Sequence, residues 1–105
     1  MAIDFPVTQA IRYLREKKAD FVPRLYDYVE KGGTGESARQ LGVDEHAVVK
    51  TLVFETNEKK PLIVLMHGDR QVSTKILARH IGVKSVESAT PDRASKFTGY
   101  LVGGT

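Results

Sequence analysis

Two apolar runs separated by a short polar stretch constrain this chain most. Val48 to Glu55 reads as a strong strand, Thr56-Asn57-Glu58-Lys59-Lys60 as a polar connection, and Pro61 to His67 as a second strand. Two such runs joined by five residues predict a hairpin, and a hairpin excludes a purely parallel sheet. Helical patterns flank it. Thr8 to Lys17 carries Val7, Ala10, Ile11 and Leu14 on one stripe, with Thr8 placed to cap the start. Glu36 to Leu41 stops at Gly42, and a helix capped by Ser73 or Thr74 runs through His80 and stops at Gly82. Pro91 to Lys96 suits a helical turn that begins on proline.

Three further stretches read as strands. Phe21 to Val29 is rich in β-formers, with Pro23 confining its start to an edge. Lys84 to Val86 and Gly99 to Val102 complete the set. Lys31-Gly32-Gly33-Thr34-Gly35 has the composition of a mobile loop. The expected order is α, β, α, β, β, α, β, α, β: one mixed α/β domain of the α+β type, with a mainly antiparallel sheet and short flanking helices.

Composition narrows the chemistry. The 105 residues contain no Cys, which excludes a disulfide, a thiolate zinc site and a Cys nucleophile. His46, His67 and His80 are too scattered in sequence for a local metal motif, and none has a visible triad partner. No cofactor is expected. The longest apolar run, Leu62 to Met66, is too short to cross a bilayer, and the N-terminus has no signal pattern, so a cytoplasmic protein with no membrane partner is expected. The net charge of +3 permits a polyanionic partner without demanding one.

Lys50 is the anomaly. Strand alternation puts it on one face with Val48, Leu52 and Phe54, while Val49, Thr51 and Val53 take the other, and both faces look buried. Two placements suit such a lysine. Its head reaches back to water near the strand start, or it projects into a pocket where it holds a phosphate or polarises a carbonyl. Tyr26 and Tyr28 pack, or wall a pocket. The closing Gly99-Tyr100-Leu101-Val102-Gly103-Gly104-Thr105 is a strand running into a turn, or backbone brought close to a ligand. Lys75 and Arg79 lie on a solvated helix face, where cations serve solubility or contact phosphate.

Val48-Val49-Lys50-Thr51-Leu52-Val53-Phe54, then a hairpin, then Lys75-Ile76-Leu77-Ala78-Arg79-His80-Ile81-Gly82, then the closing glycine strand, resembles the YbaK/EbsC-type aminoacyl-tRNA deacylases. These are similar to the inserted editing domain of bacterial prolyl-tRNA synthetase. The resemblance implies that family's fold, a sheet or partly open barrel with short helices. It implies a trans-editing hydrolase that clears mischarged tRNA, in this branch cysteinyl-tRNA carrying a proline tRNA. The alternative is a non-catalytic module that binds the tRNA acceptor end or an aminoacyl-adenosine.

By the same resemblance, the catalytic positions are Lys50 and Gly103, and the substrate-binding positions are Tyr26, Thr51, Gly99 and Gly104. The implied partners are aminoacyl-tRNA and prolyl-tRNA synthetase. In the cysteine-specific members the substrate's own thiol is proposed to attack its carbonyl, which is compatible with a chain lacking Cys. The family's pattern has an aromatic in the loop after the tyrosine strand, where this chain has Gly32-Gly33-Thr34-Gly35. It also continues past the glycine pair with a Ser-Pro turn, further strands, and a late serine and aspartate. The expectation is therefore a single domain over residues 1–105, incomplete at its C-terminus, whose open sheet edge favours a homodimer.

Overall fold

The computed structural model describes residues 7–100. Helix α1 (Gln9–Glu16) starts at Thr8, whose hydroxyl accepts from the Ile11 amide at 3.2 Å. Helix α2 (Gly33–Leu41) ends with Gly42 in the left-handed region, φ 68°. A 3-10 turn (Glu45–Ala47) follows, capped by Asp44. Strands β1 (Val49–Thr56) and β2 (Pro61–His67) form the expected hairpin. Helix α3 (Thr74–Ile81) is capped by Ser73 and stopped by Gly82 at φ 77°. A short β3 (Val86–Ser88) and helix α4 (Pro91–Thr98), capped by Thr90, complete the described elements.

The sheet is antiparallel with order β2-β1-β3. Lys50 pairs with Met66, Leu52 with Val64 and Phe54 with Leu62. Strand β3 covers only the far half of β1, from Phe54 opposite Ser88 to Thr56 opposite Val86, extended by the Ala89 amide donating to the Val53 carbonyl at 2.9 Å. Odd-numbered residues of β1 thus direct their backbone groups toward β3. Among the described residues, those of Val49 and Thr51 meet no strand on that side. The core gathers on the even face, where Phe54, Ala78 and Val86 are buried and Leu52, Leu62, Val64, Val72, Leu77 and Val83 pack around them. No described helix is long and apolar enough to cross a membrane.

Several expectations need correction. Phe21 to Val29 is not a strand. One side chain brackets its backbone at Asp27: Gln40 Oε1 accepts from the Asp27 amide at 2.7 Å, while Gln40 Nε2 donates to the Asp27 carbonyl at 2.9 Å. That amide stands in for a neighbouring strand. The glycine-rich stretch is not wholly a loop, because α2 begins at Gly33, which takes φ 61°. Strand β3 starts two residues later than expected, and α4 runs two residues further, to Thr98. Gly99 does not open a strand; it caps α4 with φ 77°, a conformation glycine adopts without strain. The rest of that expected strand, with Gly103 and Gly104, lies outside the described residues. The two faces of the hairpin also differ: Leu62, Val64 and Met66 are half-buried, while Ile63, Leu65 and Val49 are exposed.

Candidate functional site

Strand alternation places Lys50 on the core face, but at the end of β1 that the buried cluster does not reach. There its half-buried side chain enters a cleft of about 380 Å³ whose walls include Tyr26, Tyr28, Thr34, Ser37 and Thr51. Lys50 Nζ donates to the Gly68 carbonyl at 3.2 Å. The Thr34 hydroxyl donates to the same oxygen at 3.0 Å, and the Gly68 amide donates to the Val48 carbonyl at 2.6 Å. The lysine is thus aimed by a backbone carbonyl at the base of the hairpin. Among the described residues no carboxylate lies within ion-pair distance of it. An ammonium tied by one neutral acceptor keeps two donors and its full charge for a ligand.

Gly68 is buried and has no room for a side chain. A Cβ there would lie 2.6 Å from the Glu45 carbonyl and 2.8 Å from Thr34 Cβ. Two histidines fix the turn that carries it. The rings of His46 and His67 stack with centroids 3.8 Å apart and planes 14° from parallel. His67 Nδ1 donates to the His46 carbonyl at 2.7 Å, and His46 Nδ1 meets Asp69 Oδ1 at 2.7 Å. The hydrogen bond from His46 holds the Asp69 carboxyl below its ordinary range. These histidines, read from the sequence as having no triad partner, form a clamp between the 3-10 turn and the end of β2.

Glu36 also lines the cleft, but its charge is engaged. Arg39 and Gln40 Nε2 both donate to its carboxylate, the latter at 2.9 Å. Chiefly through the Arg39 hydrogen bond and then that of Gln40, its pKa is lowered from 4.5 to about 2. The cleft therefore presents one uncompensated cation, two tyrosines, and the hydroxyls of Thr34, Ser37 and Thr51. Such a lining suits an anionic or carbonyl-bearing ligand with a flat aromatic portion. No group of three or more metal-ligating side chains occurs among the described residues.

Of the residues singled out from the sequence, the structure brings Lys50, Thr51 and Tyr26 together. Gly99 lies in the cap of α4 and does not line this cleft. Sequence reasoning missed Thr34, Gly68 and the His46–His67–Asp69 clamp. The hairpin register held the signal: if Val49 pairs with His67, the residues just before β1 and just after β2 must meet.

The model of the aminoacyl-tRNA editing domain family matches residues 31–105. The chain is 30% identical over 98 residues to the "Putative Cys-tRNA(Pro)/Cys-tRNA(Cys) deacylase EbsC" of Enterococcus faecalis, a match that spans 92% of this chain and 60% of that protein. It is 38% identical over 63 residues to the proline–tRNA ligase of Nitratidesulfovibrio vulgaris, covering 60% of this chain and 11% of the ligase. Among solved structures, a hypothetical protein superposes with a TM-score of 0.80 at 23% identity, over 93% of this chain and 64% of its own. The "putative trans-editing enzyme for prolyl tRNA synthetase" superposes with a TM-score of 0.63 at 24% identity, over 74% of this chain and 48% of its own. At these identities the superpositions establish the α+β fold. The chain thus spans 60% of the length of that deacylase.

Proposed function

We propose that this chain, which belongs to the aminoacyl-tRNA editing domain family, is a trans-editing hydrolase that deacylates mischarged aminoacyl-tRNA. The favoured substrate is a proline tRNA mischarged with cysteine. The observation that carries this reading is Lys50: a half-buried ammonium, oriented by the Gly68 carbonyl, facing a cleft whose lining carboxylate, Glu36, is already held by Arg39 and Gln40. An aminoacyl ester at the end of a tRNA offers what this lining can meet, namely phosphate charge, a carbonyl that gains charge during attack, and a base to lie against Tyr26 or Tyr28. The 30% identity to a protein described as a cysteinyl-tRNA deacylase supports the choice of amino acid.

Hydrolysis of the ester needs a nucleophile at the carbonyl carbon and stabilisation of the oxygen as it becomes anionic. With cysteine as the charged amino acid, the substrate's thiol supplies the nucleophile. The S–C bond forms, the C–O bond to the ribose breaks, and the thiol proton ends on the departing ribose oxygen; water then opens the cyclic thioester so formed, breaking the S–C bond and returning free cysteine with its thiol. The protein then contributes position and charge. In this scheme Lys50 holds negative charge at the reacting end, Thr51 and Tyr26 shape the cleft, and Gly103 and Gly104 keep the roles that the family resemblance implies for them. Donors aimed at developing charge are typically worth about a hundred- to a thousandfold in rate. Prolyl-tRNA synthetase is the proposed functional partner, and the Val49–Thr51 edge of β1, which meets no strand among the described residues, is the proposed surface for pairing two copies.

The test is ester loss from cysteinyl- and alanyl-tRNA charged on proline tRNA. Release faster than in buffer alone, with cysteine preferred, is expected. Release of neither amino acid rejects the hydrolase, and tight binding of charged tRNA without turnover assigns the chain to acceptor-end recognition instead.

A further inference from the structure

Cationic charge is unevenly placed in this chain. From Arg70 to Val86 there are four cations, Arg70, Lys75, Arg79 and Lys84, and no Asp or Glu. The remaining residues hold twelve Lys and Arg against thirteen Asp and Glu, a net of −1, so the excess of +3 resides in this segment. Folding gathers three of the four. Lys75 and Arg79, one turn apart on α3, and Lys84, on the approach to β3, line one cleft of about 510 Å³ with Thr74 and Ser85. All three are exposed.

Four basic side chains elsewhere have acidic partners: Arg39 with Glu36, Lys59 with Glu87, Lys60 with Glu58 and Arg93 with Glu55. Among the described residues, Lys75, Arg79 and Lys84 pair with no carboxylate. A concave surface with three cations and no anion concentrates field and attracts polyanions.

Its position relative to Lys50 selects the polyanion. Helix α3 covers the even face of the sheet, where Lys50 also points. The basic cleft lies beside Val86, which pairs with Thr56, while Lys50 is six residues earlier on β1. At the rise of an antiparallel strand, the two sites are about 20 Å apart. A free amino acid ester or a nucleotide does not reach both.

We propose that the Lys75–Arg79–Lys84 cleft is a second docking surface that holds the sugar-phosphate backbone of the same tRNA whose aminoacylated end enters the Lys50 cleft. This rests on the editing reading for the choice of RNA. Such a surface binds through charge and is indifferent to base sequence. Its role is to raise affinity for the whole tRNA and to leave chemistry at the ester unchanged.

The experiment compares the chain with K75A/R79A/K84A and with K59A/K60A, a control that removes two lysines already paired with carboxylates. Binding of an uncharged proline-tRNA transcript is followed across a salt series, with circular dichroism confirming that each variant is folded. Loss of three phosphate contacts should flatten the slope of log K against log salt by about 2 to 3 and weaken binding about tenfold at moderate salt. The control should match the parent. A parent slope retained by the triple variant overturns the proposal. So does a triple variant that loses binding to anionic phosphatidylserine vesicles while keeping its affinity for tRNA, because the cleft then serves a membrane surface.

Deacylation is measured separately on aminoacyl-tRNA and on a short aminoacyl-adenosine ester. The triple variant should raise KM for the tRNA and leave turnover of the short ester unchanged. If neither substrate is hydrolysed by any form, the hydrolase reading fails, and the salt slope still decides the docking surface.

Discussion

The guanidinium of Arg93 closes over the carboxylate of Glu55, the most buried charged side chain described, at 3% exposure. It joins α4 to the middle strand of the sheet, and its central carbon lies over the Phe97 ring, 5.1 Å from the centroid. Glu55 is on the odd face of β1, where charge has no place unless it is met. Arg93→Ala leaves that carboxylate buried without its partner. The loss in unfolding free energy should be about 2 kcal/mol, below the range for a fully buried pair because Arg93 is partly solvated. Urea denaturation checks this. The double variant E55Q/R93A should recover part of the loss.

Lys50→Ala separates function from fold. The variant should lose deacylation or acceptor-end binding, while stability stays within about 1 kcal/mol of the parent, because removing a half-buried cation relieves its desolvation. Ester release and a melting curve, measured on the same preparation, report the two effects. Full activity in the variant removes Lys50 from the site.

Gly68→Ala should act twice. The added methyl meets the Glu45 carbonyl and Thr34, so the turn must move, at a cost of about 1 to 3 kcal/mol. Movement of the turn also displaces the carbonyl that aims Lys50. Activity should therefore fall even under conditions where the variant is fully folded. Normal turnover by the folded variant would show that Lys50 does not depend on that carbonyl.

Acid should weaken the hydrogen bonds that Glu36 accepts along α2. The Glu36 carboxyl titrates near 2 in the folded chain against an ordinary 4.5, so it binds protons more weakly folded than unfolded. Its contribution to stability is complete above about 4.5 and is lost as pH falls toward about 2. A carbon-detected titration of the side-chain carboxyl should place the midpoint well below the ordinary value, and Arg39→Ala should return it upward. An unshifted midpoint in the parent rejects the contribution of the Arg39 and Gln40 hydrogen bonds.

The hairpin and the helix stops at Gly42 and Gly82 were legible because each rests on local chemistry: strand alternation and the left-handed glycine. Lys50 was legible for a related reason, since alternation alone put a charge among Leu52 and Phe54. What the chain concealed depends on partners distant in sequence. The stretch from Phe21 to Val29 has the composition of a strand, yet the Gln40 side chain takes the place of a ladder. Gly99 looked like the start of a strand because α4 was expected to stop at Lys96; two more residues of helix turn it into a cap. The histidine clamp joins residues 21 and 23 positions apart, and no local pattern in His46 or His67 announces it.

The slightness of the core has a practical consequence. Its buried cluster is Phe54, Ala78 and Val86, and no described side chain is below 2% exposure. Small domains of this kind sit a few kcal/mol from unfolding. A ligand present at a hundred times its dissociation constant adds about 2.7 kcal/mol to the folded state by mass action alone. Occupancy of the Lys50 cleft would then register as a rise of about 10 °C in Tm. For this chain thermal denaturation doubles as a substrate screen: non-hydrolysable aminoacyl-adenosine analogues can be ranked by the temperature at which the sheet gives way, before any ester is cleaved.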